Sequence, residues 1–88
     1  MNWVCNISKE ASKQILSFPK NHQNQIYSSL LEMQSDPFIG DVKPIKSGKF
    51  KDCYRKRIGK YRAIFLLDNV KKIVFIVAVL RRSDSTYS

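Results

Sequence analysis

With 88 residues and a mass of 10.2 kDa, the chain has room for one small domain, expected to span residues 1–88, built around one core. A hydrophobic share of 43% excludes a disordered chain, and the longest apolar run, the eight residues from Ile73 to Leu80, falls short of the roughly 20 needed to cross a bilayer. A formal charge of +9, with no basic-then-apolar leader at Met1-Asn2-Trp3-Val4, points to a cytoplasmic protein with an anionic partner.

Trp3, Cys5 and Ile7 alternate with Asn2, Val4 and Asn6, the period-2 pattern of a short strand. Ser8 is placed to N-cap a helix running from Lys9 to Leu16, with Ala11, Ile15 and Phe18 on its apolar stripe and Pro19 stopping it. A second helix is expected from about Lys20 to Met33, with Ile26, Leu30 and Met33 on one face and Tyr27 and Leu31 beside it. Asp36-Pro37 and Gly40-Asp41 punctuate a loop. Beyond it the period changes to two: Phe50, Tyr54 and Ile58 alternate with Cys53, Arg55 and Arg57. Gly59-Lys60 links this strand tightly to a second, Tyr61 to Leu67, and the turn Asp68 to Lys72 leads into the β-branched run Ile73 to Leu80, read as a strand covered on both faces. The tail from Arg81 to Ser88 is polar. This order implies an α+β fold, two N-terminal helices on one face of a twisted, mainly antiparallel sheet of about four strands.

Charge is concentrated rather than scattered. The twenty residues from Lys43 to Arg62 hold nine basic side chains against the single Asp52, so they carry eight of the nine net positive charges. Strand alternation sets Arg55 and Arg57 side by side on the face away from the helices. Arg62, and Arg81 or Arg82, are placed to complete a cationic bowl whose uncompensated guanidinium groups repel one another until an anion binds. Lys46, Lys49 and Lys51 extend the same surface. Lys56 falls on the face expected to be apolar and marks a place where the strand frays.

Other chemistries lack their residues. Cys5 and Cys53 lie 48 positions apart and the chain has one histidine, His22, so neither metal-ligand spacing nor a nucleophile–base pair is visible and no metal or other cofactor is expected. Both cysteines read as buried thiols in a reducing compartment, and His22, in a polar helix start, as an exposed surface residue. Cations alone can nevertheless assist phosphoryl transfer. When an RNA 2′-hydroxyl attacks its own 3′-phosphate, negative charge builds on the equatorial oxygens, and preorganised guanidinium groups stabilise it. Arginine stays protonated, so it does not act as the base. Tyr87, one residue from the end, reads either as a frayed terminus or as a ring that stacks on a base or orients the 2′-hydroxyl.

Trp3-Val4-Cys5, Ser8-x-x-Ala11-x-Lys13, a leucine-bearing second helix, Asp36-Pro37 and Ile45-Lys46-Ser47-Gly48 follow one another in order. Cys53-Tyr54-Arg55-Lys56-Arg57-Ile58-Gly59-Lys60-Tyr61-Arg62-Ala63-Ile64-Phe65 and a β-branched strand closing in Val79-Leu80-Arg81-Arg82 complete the series. Over essentially its whole length the chain resembles the RelE/ParE superfamily of bacterial toxins. The resemblance implies a type II toxin held by a cognate antitoxin, whose amphipathic, partly acidic segment would cover the basic face and apolar patches. For a RelE-like member it further implies ribosome-dependent, metal-independent cleavage of mRNA in the A site, leaving a 2′,3′-cyclic phosphate and inhibiting translation. The family's functional residues then match Arg55, Arg57, Arg62, Arg82 and Tyr87, with Lys46, Lys49, Lys51 and Arg81 as further RNA contacts. The RelE prototype has lysines where this chain has Arg55 and Arg57, which leaves Tyr87, Lys49, Lys51 or the ribosome to assist the 2′-hydroxyl. The arginine-to-tyrosine spacing is one residue longer than usual, so Arg81 competes with Arg82 for the site. Two alternatives share the fold: a ParE-like inhibitor of DNA gyrase, and an inactive antitoxin-binding module.

Overall fold

Ser8 joins the first strand to the first helix and anchors both to the last strand. In the computed structural model, which describes residues 2–82, strand β1 covers Val4–Ile7 and helix α1 covers Lys9–Leu16. The Ser8 side chain accepts the Ala11 N–H at 3.0 Å, satisfying one orphan donor of the helix start. Its hydroxyl also donates to the Val77 carbonyl at 3.0 Å. Ala11 and Ile15 are buried, as their spacing predicts. The helix ends at Leu16 with Ser17 as its C-cap, two residues ahead of Pro19, which cannot continue it. Pro19 is also the N-cap of α2, Lys20–Glu32, and Phe18 packs from the connection between the helices. Ile26, Leu30 and Met33 are buried, while Tyr27 and Leu31 lie exposed on the flank.

The remaining strands are β2 (Val42–Pro44), β3 (Tyr54–Ile58), β4 (Tyr61–Asp68) and β5 (Ile73–Arg81), in the sheet order β1-β5-β4-β3-β2. Only β1 runs parallel to its neighbour, with Val4 opposite Ile73, and the other pairs are antiparallel. The sheet therefore has five strands rather than about four. The additional one, β2, is a three-residue edge strand containing Pro44, too short to leave a period. The α+β reading and the placement of both helices on one face hold.

One face of the sheet packs against both helices through Ile58, Tyr61, Ala63, Phe65, Val74, Ile76 and Val79, which meet Ala11, Ile15, Ile26, Leu30 and Met33. The opposite face carries a second, smaller cluster. There the β2–β3 connection folds over the sheet, so that Ile45 and Phe50 pack on Cys53, Ile64 and Ala78. Backbone bonds from Ile45 N to Cys53 O (2.8 Å) and Asp52 N to Ile45 O (3.0 Å) close this connection. Phe50 thus belongs to the connection rather than to the alternation of β3. Strand β5 is covered on both faces only near Ala78; lower down, Leu66 and Phe75 oppose each other and remain exposed. Pairing jumps from Phe65–Ile76 to Ile64–Ala78, leaving Val77 as a bulge.

Lys56 overturns the expectation of fraying. It sits mid-strand, 3% exposed, with its ammonium donating to the Ser29 carbonyl at 3.1 Å and pairing with Glu32 at 3.4 Å. Its aliphatic stem crosses the core while the charge reaches the last turn of α2, where carbonyls lack helical donors.

Candidate nucleic-acid interface

Register decides which side chains meet on the helix-free face. Directly paired residues of antiparallel strands point the same way, with Cβ atoms about 4.5–5.5 Å apart. One row across the sheet runs Arg57, Arg62, Leu80, and the next runs Lys43, Arg55, Ile64, Ala78. Two like-charged pairs, Arg57 with Arg62 and Lys43 with Arg55, are therefore directly opposed, an arrangement that costs stability in a sheet. Phe50 and its neighbours cover the Ile64–Ala78 part of the second row, leaving the Arg57–Arg62 row beside the turn at Gly59.

That turn draws in Arg82. Its backbone N–H bonds to the Lys60 carbonyl at 2.7 Å, and its guanidinium donates to the Gly59 carbonyl at 3.3 Å. Gly59 has φ +57, in the left-handed region that favours glycine, and a Cβ there would press to 3.0 Å on the amide end of the Gln25 side chain, which would have to shift. Arg81 opposes Tyr61, a residue of the helix-packed face, and Tyr61 itself is buried. Arg82, not Arg81, lies with Arg57 and Arg62. Lys46, Lys49 and Lys51 are exposed on the connection that crosses this face, with the Lys49 ammonium 5.5 Å from the Phe50 ring centroid. Tyr87 lies outside the described residues.

The bowl is not uncompensated, contrary to expectation. Asp41, just before β2, is the next register position opposite Arg57 and accepts the Arg57 backbone N–H at 3.0 Å through its own carbonyl. Its carboxylate lies 3.3 Å from Arg55 Nη1 and 3.7 Å from Arg57 Nε. In the sequence Gly40-Asp41 reads only as loop punctuation, because it is the pairing of β2 with β3 that brings this carboxylate beside the arginines. His22 also departs from its reading. It is half-buried, and its Nδ1 lies 2.7 Å from the Tyr61 hydroxyl, fixing the residue that precedes Arg62.

Both cysteines are free thiols, Cys53 buried and Cys5 half-buried. Burial pushes each thiol up, with the Lys56 ammonium partly opposing this at Cys5 and Asp52 adding to it at Cys53. Neither is activated as a nucleophile. Among the described residues, no group of three His, Cys, Asp or Glu side chains is placed to hold a metal ion. No helix among them is long and apolar enough to cross a membrane. Among the described residues, the arrangement gathers several guanidinium groups on one face and includes no acid–base pair.

The family model for the ParE toxin of the type II toxin–antitoxin system parDE matches residues 6–86. The chain belongs to the ParE toxin family. No curated protein matches it. Among solved structures it is similar to the archaeal RelE–RelB complex from Pyrococcus horikoshii, at 25% identity and a TM-score of 0.82 over 97% of this chain and 100% of that one. The toxin–antitoxin complex RelBE2 from Mycobacterium tuberculosis gives 17% identity and a TM-score of 0.81, over 93% of this chain and 100% of that one. The isolated Escherichia coli RelE toxin gives 20% identity and a TM-score of 0.75, over 94% of this chain and 87% of that one. The expected superfamily is therefore the right one, with the family model naming its ParE side and these folds its RelE side.

Proposed function

We propose that this toxin is a ribosome-dependent mRNA endoribonuclease that needs no metal and is neutralised by a cognate antitoxin. The observation that carries the reading is the directly opposed Arg57–Arg62 pair, with Arg55 two residues along the strand and Arg82 at the adjoining turn. A sheet tolerates such a pair at a cost, and a phosphodiester bound across it removes that cost. In the reaction the 2′-oxygen bonds to phosphorus, the bond from phosphorus to the 5′-oxygen breaks, and the 2′-hydroxyl proton leaves while the 5′-oxygen gains one. Arg55, Arg57, Arg62 and Arg82 would bind the non-bridging oxygens and hold the charge that accumulates there. Tyr87 would orient the 2′-hydroxyl or stack on a base, and Lys46, Lys49 and Lys51 would track the RNA backbone. The antitoxin partner is supported by the likeness to toxins solved within antitoxin complexes.

A second reading, a ParE-like inhibitor of DNA gyrase, is favoured by the family model. One experiment separates the two. Induction without antitoxin, followed by mapping of mRNA 5′ ends, is expected to show cuts in register with codons, absent for Arg62→Ala. Intact messages accompanied by DNA breaks would establish the gyrase reading instead.

A further inference from the structure

Asp41 holds two of the four arginines that the proposed nuclease would use, and it does so with the same kind of group an RNA substrate would bring. Each carboxylate oxygen faces a different guanidinium, Oδ1 toward Arg55 Nη1 at 3.3 Å and Oδ2 toward Arg57 Nε at 3.7 Å. The Asp41 carbonyl takes a further, long contact from Arg55 Nη1 at 3.4 Å. Two features set the position of this carboxylate. Gly40, with φ +87, turns the chain into β2, and the bond from the Arg57 N–H to the Asp41 carbonyl fixes the backbone opposite Arg57.

The pair interactions themselves are weak. Asp41 is 43% exposed and Arg57 46%, both distances exceed the short contacts of a strong charge-assisted bond, and such exposed pairs are readily exchanged. Arg55 is the more buried partner, at 19%. Three charged groups here sum to a single positive charge instead of two, so the local attraction for a polyanion is lowered until the carboxylate is displaced.

We infer that Asp41 is an internal anion that occupies Arg55 and Arg57 until an RNA phosphate replaces it, and so sets how tightly the toxin holds RNA. This rests on the nuclease reading. It predicts that loss of the carboxylate charge, with its shape kept, strengthens RNA binding, whereas a carboxylate needed to aim the arginines would weaken it on removal.

The test is binding of a short single-stranded RNA to the purified chain and to Asp41→Asn, across a salt series. Asp68→Asn is the charge-matched control. Asp68 Oδ1 accepts the Val70 and Lys71 N–H groups at the other end of β4, six residues or about 20 Å from Arg62, and asparagine keeps that acceptor. The expected result is binding about three- to tenfold tighter for Asp41→Asn, with a steeper salt dependence and little change for Asp68→Asn. Equal gains in both variants would mean a general charge effect and overturn the inference, as would unchanged or weaker binding by Asp41→Asn. RNA that fails to bind the unmodified chain would overturn this inference alone, since the ribosome-dependent nuclease reading is tested separately by the mapping of mRNA 5′ ends. A measurement on the unmodified chain covers the case in which Asp41→Asn does not fold. The Asp41 carboxyl carbon and the Arg57 Nε signals should shift together in nuclear magnetic resonance spectra as RNA is added. A carboxyl signal that stays in place while RNA binds would overturn displacement.

Discussion

Arg62 shows what one residue contributes when the strand on either side holds it. It lies between Arg57 on β3 and Leu80 on β5, and the preceding Tyr61 is fixed by His22. Under the nuclease reading, Arg62→Ala is expected to lower cleavage about 10²–10³-fold, the usual loss for one oxyanion donor, with unchanged circular dichroism. Lys56 supplies a second test at this scale. Lys56→Met keeps the stem and removes a buried charge, so urea denaturation should give a stability within about 1.5 kcal/mol of the unmodified chain. Glu32→Ala leaves the ammonium buried beside the Ser29 carbonyl alone and is expected to cost about 1–2 kcal/mol. Sharing of one face by Arg55 and Arg57 was legible, because strand alternation alone places them, and Arg62 joins them through the register set across the Gly59-Lys60 turn. Lys56 was not: its partners lie 24 and 27 positions away, and no local pattern marks a charge that crosses the core. Asp41 escaped for the same reason, since its role depends on a pairing and not on its neighbours in sequence.

Among the elements, the two helices and the three long strands were legible because each carries a full period, a cap or a turn. Ser8 is the clearest signal, and the structure adds a second duty, since its hydroxyl also serves the Val77 carbonyl. Ser8→Ala therefore removes a cap and a tertiary bond together, and should cost about 1–2 kcal/mol by thermal or urea denaturation. Along the same strand the Val79 N–H donates to Gln14 Oε1 at 2.7 Å, so α1 and its N-cap residue engage two backbone groups of β5 beyond the end of its pairing with β1. Such substitutions of side chain for strand leave no pattern in sequence, and the three residues of β2 are too few to show one. The small cluster under Phe50 was hidden likewise, because its members come from a connection, β4 and β5.

Over the whole molecule, the sheet separates two environments: a core shared with both helices on one side, and the concentrated positive charge on the other. Binding of an antitoxin that covers the basic face should weaken steeply as salt rises, measurable by calorimetry at two or more ionic strengths. Alkaline pH offers an independent check on the interior. Both thiols are raised in the folded chain, so their contribution to stability is complete below the ordinary thiol range and is lost as pH rises through the raised values. Melting temperatures are expected to fall from about pH 8.5 upward, and to fall less in the Cys5→Ala, Cys53→Ala double variant.

The single extra residue at Val77 acts on parity. Before it, even-numbered residues Val74 and Ile76 face the helices; after it, odd-numbered Val79 does, and Ala78 has crossed to the other cluster. Two adjacent arginines follow, and this count alone selects which of them arrives beside Gly59. Drawing Val77 into regular pairing would exchange their sides, sending Arg81 toward the basic face and Arg82 toward the helices, whereas excising it would leave both where they are, so the choice between the two arginines is made five residues upstream of Arg82.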